Sequence, residues 1–260
     1  MVWPRRNHRA FVGSNPALYD FEGASQFNLL TLLGLREDQY VLDIGCGSLR
    51  AGRLLIPYLQ RGHYYGLDPD RSLVLQGVKN EVGDDLLKLR EPVFVHNADF
   101  KLGQVQQPFD FILANSIFSH ASREQILLCL RLVAETLGGN GIFLASYYPG
   151  EKSYAGEAWV YPENVCYRST DLVEMAALNG MHLAEIAWPH VNDQRWVMIA
   201  RHEESLARFR LDDQDVLLAE QAARQAASKL YREITRDPVY GWLVRIRALL
   251  TELGFKKPRA

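Results

Sequence analysis

Two glycines one residue apart, immediately after a short apolar run and an acid, constrain this chain more than any other feature. The stretch is Tyr40-Val41-Leu42-Asp43-Ile44-Gly45-Cys46-Gly47-Ser48-Leu49-Arg50. Tyr40 to Ile44 reads as a strand, and from Arg50 to Gln60 the apolar residues Leu54, Leu55, Tyr58 and Leu59 recur at helical spacing. Strand, glycine turn and helix together bring main-chain N–H groups close to a ligand in α/β folds. Glycine suits the turn because it has no Cβ to obstruct a ligand or forbid the dihedrals. An acid at the strand end, Asp43, points to a ligand with a positive end. A second strand, His63 to Leu67, ends in Asp68, where a carboxylate can accept both hydroxyls of a ribose. A nucleoside is implied.

The rest of the chain supplies the remaining strand-helix units. Ser25 is expected to cap a helix from Gln26 to Leu33, closed by Gly34. Ser72 to Val82 reads as a helix ending at Gly83, and Val93 to His96 as a third strand followed by Asn97-Ala98-Asp99-Phe100. Phe109 to Ala114 is a fourth strand, with Asn115 to His120 as its loop. Ser122 caps a helix from Arg123 to Leu137, Gly138-Gly139-Asn140-Gly141 reads as a sharp turn, and Ile142 to Tyr147 as a fifth strand. Pro149, Gly150, Gly156 and Pro162 among aromatics mark residues 148–168 as a long loop over the site. A helix from Ser169 or Thr170 stops at Asn179-Gly180. Strands His182 to Trp188 and Arg195 to Ala200 then form an antiparallel hairpin, because their link is too short for a crossover.

Residues 201–260 show no strand pattern. An Ala-rich helix is expected over Asp212 to Thr235, and a second after Pro238 with Trp242, Leu243, Ile246, Leu249, Leu250 and Leu253 on one side. The chain therefore divides into a domain over 1–200 and a helical extension over 201–260. The extension's apolar stripe suits docking on the domain or on a second subunit, a homodimer, while its terminal basic residues leave a membrane-surface role open.

Five strand-helix units closed by a hairpin, with acids after strands two and three, resemble the class I S-adenosylmethionine-dependent methyltransferases over roughly residues 25–200. The resemblance implies a Rossmann-like three-layer α/β sandwich around a seven-stranded, mostly parallel sheet, and S-adenosyl-L-methionine as cofactor. It places Asp43, Gly45, Cys46, Gly47 and Arg50 at the methionine end, and Asp68 and Pro69 at the ribose and adenine. Asp99 and Phe100 would lie at the adenine amino group and ring, and Asn115 and Ser116 would contact the cofactor in the loop after strand four, where main chain meets its methionyl end and the acceptor arrives. The family often has a third glycine two places after Gly47; here that residue is Leu49. Arg50 is positioned to compensate by reaching the cofactor carboxylate.

His120 is the candidate general base, since imidazole titrates near neutral pH and the loop lies at the sheet's carboxyl edge. Tyr19, Tyr147, Tyr148, Tyr154, Trp159, Tyr161 and His190 are candidates to line an acceptor pocket. Cys46 has no base beside it in sequence to make it a nucleophile. No cluster of carboxylates or cysteines demands a metal.

Composition narrows the function. Residues 201–260 hold 12 Lys/Arg against 9 Asp/Glu, +3, so the net −2 leaves −5 on the first 200. That is a poor match to nucleic acid as substrate, as is the lack of an Asn-Pro-Pro-Tyr type loop after strand four. No apolar run nears the roughly 20 residues that span a bilayer, and the start has no signal-like apolar core. Three scattered cysteines suit a reducing, cytoplasmic setting. The expected activity is methyl transfer to a hydroxyl or amine of a small-molecule or oligomeric acceptor. The alternative is an inactive nucleoside-binding module that engages a partner through its tail.

Overall fold

The computed structural model describes residues 8–10, 16–103 and 107–207. The helices expected after Asp212 lie outside them.

Eight strands form one sheet: β1 (Val41–Ile44), β2 (Tyr64–Leu67), β3 (Val93–Val95), β4 (Phe109–Ala114), β5 (Leu137–Pro149), β6 (Cys166–Tyr167), β7 (His182–Ile186) and β8 (Arg195–Ala200). The main order is β3-β2-β1-β4-β5-β8-β7, with β6 pairing to the end of β5. Every pairing is parallel except those of β8 with β5 and with β7. The closing hairpin thus supplies the single antiparallel strand, and the fold is the Rossmann-like sandwich expected.

Alternation along the strands builds two apolar layers, one on each face. Leu42 and Ile44 point into one core with Phe118, Ile126 and Leu130. Val41 points into the other with Leu29, Leu30 and Leu55. β8 alternates likewise, Val197 and Ile199 on the first face, Trp196 and Met198 on the second. Such two-sided burial is what a near-continuous apolar strand requires.

The helices are α1 (Tyr19–Leu32), α2 (Gly52–Tyr58), α3 (Arg71–Gly77), α4 (Asp84–Arg90), α5 (Arg123–Thr136), α6 (Ser169–Ala177) and α7 (Glu203–Ala207). Ser122 caps α5 in a full capping box with Gln125. Gly83 ends the π-helical turn that extends α3, at φ 86°.

Four expectations need correction. α1 starts at Tyr19 instead of Gln26, so Ser25 is not its cap but sits mid-helix, where its hydroxyl accepts from Trp188 Nε1 at 3.0 Å. α4 was not foreseen: Gly83 ends one helix and precedes the next with no loop between. The Gly138 to Gly141 run is not a sharp turn; it continues β5, with a register shift opposite Phe109 and Phe111. That bulge lets both Phe109 and Ile112 face the same core. The long loop also contains a strand, β6. No helix among the described residues is long and apolar enough to cross a membrane.

Candidate functional site

The strand order reverses at β1, which has β2 on one side and β4 on the other. Loops leaving the carboxyl ends of β1 and β4 therefore diverge and open a crevice, the place where open α/β sheets bind ligands. A cleft of about 280 Å³ lies there. This is close to the lower end of the roughly 300–1,000 Å³ of small-molecule sites.

The β1 loop forms one wall. Gly45 and Gly47 hold φ of 71° and 52°, the left-handed region in which a Cβ is penalised. Leu49, the third-glycine position, has φ 65° and is fully buried. The backbone path that a glycine would give is therefore kept by a leucine, held there by packing. Two helical glycines make that packing close. A Cβ on Gly23 of α1 would stand 2.3 Å from the Arg50 carbonyl oxygen, and one on Gly77 of α3 2.4 Å from that of Ser48. Tyr19 donates its hydroxyl to the Ser48 carbonyl at 2.7 Å.

Asp43 and Asp68 both line the cleft. Asp43 accepts from the Tyr64 hydroxyl at 2.8 Å, and burial raises its pKa to about 6, so it stays largely ionised at neutral pH. Asp68 accepts from Gly47 N at 2.9 Å and Asp70 N at 2.8 Å, one bond to each oxygen. A carboxylate has about four acceptor positions, so both oxygens retain capacity for a diol. Burial raises the Asp68 pKa as well. Arg50 lines the cleft and forms a buried ion pair with Glu22 of α1. Cys46 also lines it, but burial pushes its thiol well above the usual range, so it is no nucleophile.

The β4 loop forms the opposite wall. Ser116 N donates to Ser146 Oγ at 2.7 Å, and Gln194 Nε2 donates to Ser116 Oγ at 2.9 Å. Ser146 Oγ also lies 2.7 Å from Gln194 Oε1 and 3.2 Å from Asn115 Oδ1. His190 Nε2 is 2.9 Å from Asn115 Oδ1, while its Nδ1 accepts from Asn192 N at 3.2 Å. The Asn192 N–H donor at Nδ1 and the amide carbonyl oxygen of Asn115 at Nε2 fix the neutral Nε2–H tautomer. Burial, with a smaller contribution from Arg50, lowers the His190 pKa to about 3.

His120 is held differently. Its Nδ1 lies 2.7 Å from the Glu163 carbonyl, which can only accept, so the neutral ring carries its proton there and leaves Nε2 without one. Burial lowers its pKa below the usual 6.5. Trp159 and Tyr161 stand against the ring, centroids 5.5 and 5.1 Å away.

Of the candidate residues, the cleft gathers Asp43, Gly45, Cys46, Gly47, Arg50 and Asp68 from one wall, and Asn115, Ser116, His120, Tyr148, Trp159 and Tyr161 from the other, but not Tyr154. Others stand elsewhere. Tyr19 and Tyr147 are fully buried, Tyr19 behind the β1 loop and Tyr147 hydrogen-bonded to Glu185. Neither lines the cleft. His190 lies one layer behind Asn115, in a small adjoining hollow, and does not line the cleft. Asp99 is half-exposed and paired with Lys101, and neither it, Phe100 nor Pro69 belongs to the cleft wall. Eight lining residues were not among the candidates: Gln26 of α1, Ala51, Leu73, Ile117, Pro162, Asn164, Asn192 and Gln194. The one available signal was polar side chains at strand and loop ends facing the carboxyl edge; nothing in local spacing singles out Gln26.

Comparison with known proteins matches this architecture. Residues 42–143 fit a family model described as a methyltransferase domain. Among solved structures, the magnesium protoporphyrin IX methyltransferase of Synechocystis PCC 6803 with bound SAH is 14% identical. The match covers 77% of this chain and 90% of that one at a TM-score of 0.54. The same enzyme with bound SAM matches at 16% identity, 77% and 100% coverage and a TM-score of 0.52. The CcbJ methyltransferase of Streptomyces caelestis is 14% identical, with 73% and 97% coverage and a TM-score of 0.55. At such identities the likeness is one of fold.

Proposed function

We propose that the chain is a class I S-adenosylmethionine-dependent methyltransferase, a reading supported by the match of residues 42–143 to a methyltransferase domain, and that it methylates a hydroxyl group of a small or oligomeric acceptor in the cytoplasm. The observation that carries this reading is His120, whose Nδ1 donates to the Glu163 carbonyl and whose ring stands in the same cleft as the β1 loop and its acids.

The residues present fit the cofactor. Asp43 and Asp68 put anionic charge where a sulfonium and an ammonium need it, and Asp68 keeps acceptor capacity for the ribose diol. Arg50 offers a guanidinium to the carboxylate. Gly45 and Gly47 leave the loop without side chains to obstruct approach. When bound, S-adenosylmethionine supplies an electrophilic methyl group whose carbon–sulfur bond electrons remain on a neutral thioether.

The protein's own work is then positioning and proton removal. Two walls fixed by the Asp68 and Ser146 hydrogen bonds hold the acceptor against the cofactor side, and orientation of this kind removes several kcal/mol of barrier. His120 Nε2 takes the hydroxyl proton, leaving an imidazolium steadied by the Glu163 carbonyl. Cleft desolvation by Trp159 and Tyr161 keeps the base neutral before the reaction.

Titration calorimetry with S-adenosylmethionine and S-adenosylhomocysteine tests the cofactor assignment. Absence of heat with both removes the reading. Methyl release from the bound cofactor to an acceptor panel tests turnover, and binding without turnover on any acceptor would favour the partner-binding alternative.

A further inference from the structure

The cleft is electrically divided. Its formal charges, Asp43, Arg50 and Asp68, all come from the chain before residue 70. The wall contributed after residue 114 has no Asp, Glu, Lys or Arg among the cleft-lining residues. It offers Tyr148, Trp159, Tyr161, Asn164 and Asn192 around His120.

Each of these has a readable preference. Trp159 and Tyr161 are 43% and 42% exposed, large aromatics kept at the cleft mouth where burial elsewhere would be favourable. An aromatic face carries negative charge density, which attracts C–H bonds polarised by neighbouring oxygens. Among the described residues, no hydrogen bond of the protein engages the side-chain amides of Asn164 and Asn192. Every amide offers a carbonyl acceptor and two donors in one plane, which matches adjacent hydroxyls that both give and accept. A phosphorylated or carboxylated acceptor would meet no cation here, and an ammonium no acid.

Resting on the methyltransferase reading, we infer that the acceptor is a neutral, polyhydroxylated ring, a sugar residue of a glycoside or glycan. Its apolar face lies on Trp159 and Tyr161, and its hydroxyls meet the amides of Asn164 and Asn192. One hydroxyl reaches His120. That oxygen bonds the methyl carbon as the carbon–sulfur bond breaks, the bonding pair stays on sulfur, and the hydroxyl proton passes to Nε2. A phenol with a single hydroxyl would leave the amides of the exposed Asn164 and half-buried Asn192 to water, and a phenol or catechol ring lacks the face of oxygen-polarised C–H bonds that the aromatic platform attracts.

The test uses full-length protein saturated with S-adenosylhomocysteine and methyl glycosides of neutral hexoses, deoxyhexoses and pentoses, read by saturation-transfer NMR. Catechol, a hexuronic acid and a primary amine serve as the counter-panel. We expect transfer to sugar ring protons of at least one glycoside, and an O-methyl product by mass spectrometry when S-adenosylmethionine replaces the product. Trp159→Ala should raise KM for that glycoside at least tenfold while leaving the affinity for S-adenosylhomocysteine unchanged. Asn192→Ala should raise the same KM without affecting cofactor binding. Silence across all glycosides, or methylation of catechol or amine with no glycoside bound, overturns the inference and leaves the methyltransferase reading intact. Failure of the wild-type protein to bind S-adenosylhomocysteine strikes that reading itself, and the sugar assignment with it.

Discussion

Asp43 is the residue on which stability and binding pull in opposite directions. Its carboxylate is buried and its pKa is raised to about 6, so in the folded protein it binds a proton more readily than when unfolded. Stability from that proton is present at pH 4 and is lost as pH rises through about 6. At 1.36 kcal/mol per pH unit, the ionised group costs the fold on the order of 3 kcal/mol at pH 7. Asp43→Asn keeps an acceptor for Tyr64, so we expect it to be about 1–3 kcal/mol more stable than wild type at pH 7 by urea unfolding. The gap should close near pH 4. The same variant should lose cofactor affinity. In wild type, that affinity should be flat above pH 7 and fall as pH drops through 6, because protonation removes the charge that faces the ligand's cation. Calorimetry across pH 5–8 checks this.

His120 makes the complementary case. With its pKa below 6.5, kcat/KM should lose activity only on the acid side of that value. His120→Gln should lower kcat by roughly 10²–10⁴-fold, the range of general-base catalysis, with cofactor affinity unchanged. A variant that binds both ligands and turns over at the wild-type rate would remove the base. At this scale the sequence was informative where chemistry is local, as with Asp43, Asp68, Gly45, Gly47 and His120. It offered Tyr19, Tyr147 and His190 for the acceptor pocket, and the cleft does not include them, because aromatic and polar groups look the same in sequence whether they face a ligand or a core. Only the register of β5 against β8 decides that Tyr147 meets Glu185.

Among elements, the β1 loop and α1 act as one piece. Leu49→Ala should destabilise by about 2–5 kcal/mol, as other buried leucine truncations do. Leu49→Gly should not recover the loss, because relief of the φ 65° backbone, roughly 1–2 kcal/mol, is smaller than the packing removed. Thermal unfolding of both variants decides whether packing or strain governs. Helices with clear caps were legible, α5 above all. α4 was not, since Gly83 carries a stop signal that hides the start behind it. The Gly138–Gly141 run misled because it lies within the register shift between Leu137 and Ile142, whose pairings with Phe109 and Phe111 of β4 are contacts distant in sequence.

For the whole molecule, the cleft joins elements from both faces of the sheet, so ligand occupancy should stabilise the entire domain. At a hundredfold excess over Kd the linkage is about 2.7 kcal/mol. For a domain of this size that corresponds to a Tm increase of about 5–11 °C, readable by scanning fluorimetry. An unchanged Tm would argue against binding at this site. The closing hairpin was legible from its short link, and the mostly parallel sheet through the family resemblance, whereas the strand order and its reversal at β1 rest on pairings that strand pattern does not fix. The division of the cleft into a charged and an uncharged wall was not legible, because it arises only when residues before 70 and after 114 are folded against each other.

The contact between Gly23 and the Arg50 carbonyl, and between Gly77 and that of Ser48, carries a further consequence. Neither glycine lines the cleft, yet a single added methyl at either must push a whole helix off the loop that shapes it. A saturation mutagenesis screen scored for activity should therefore show two intolerant columns remote from any ligand, as empty of accepted substitutions as those of the loop glycines themselves.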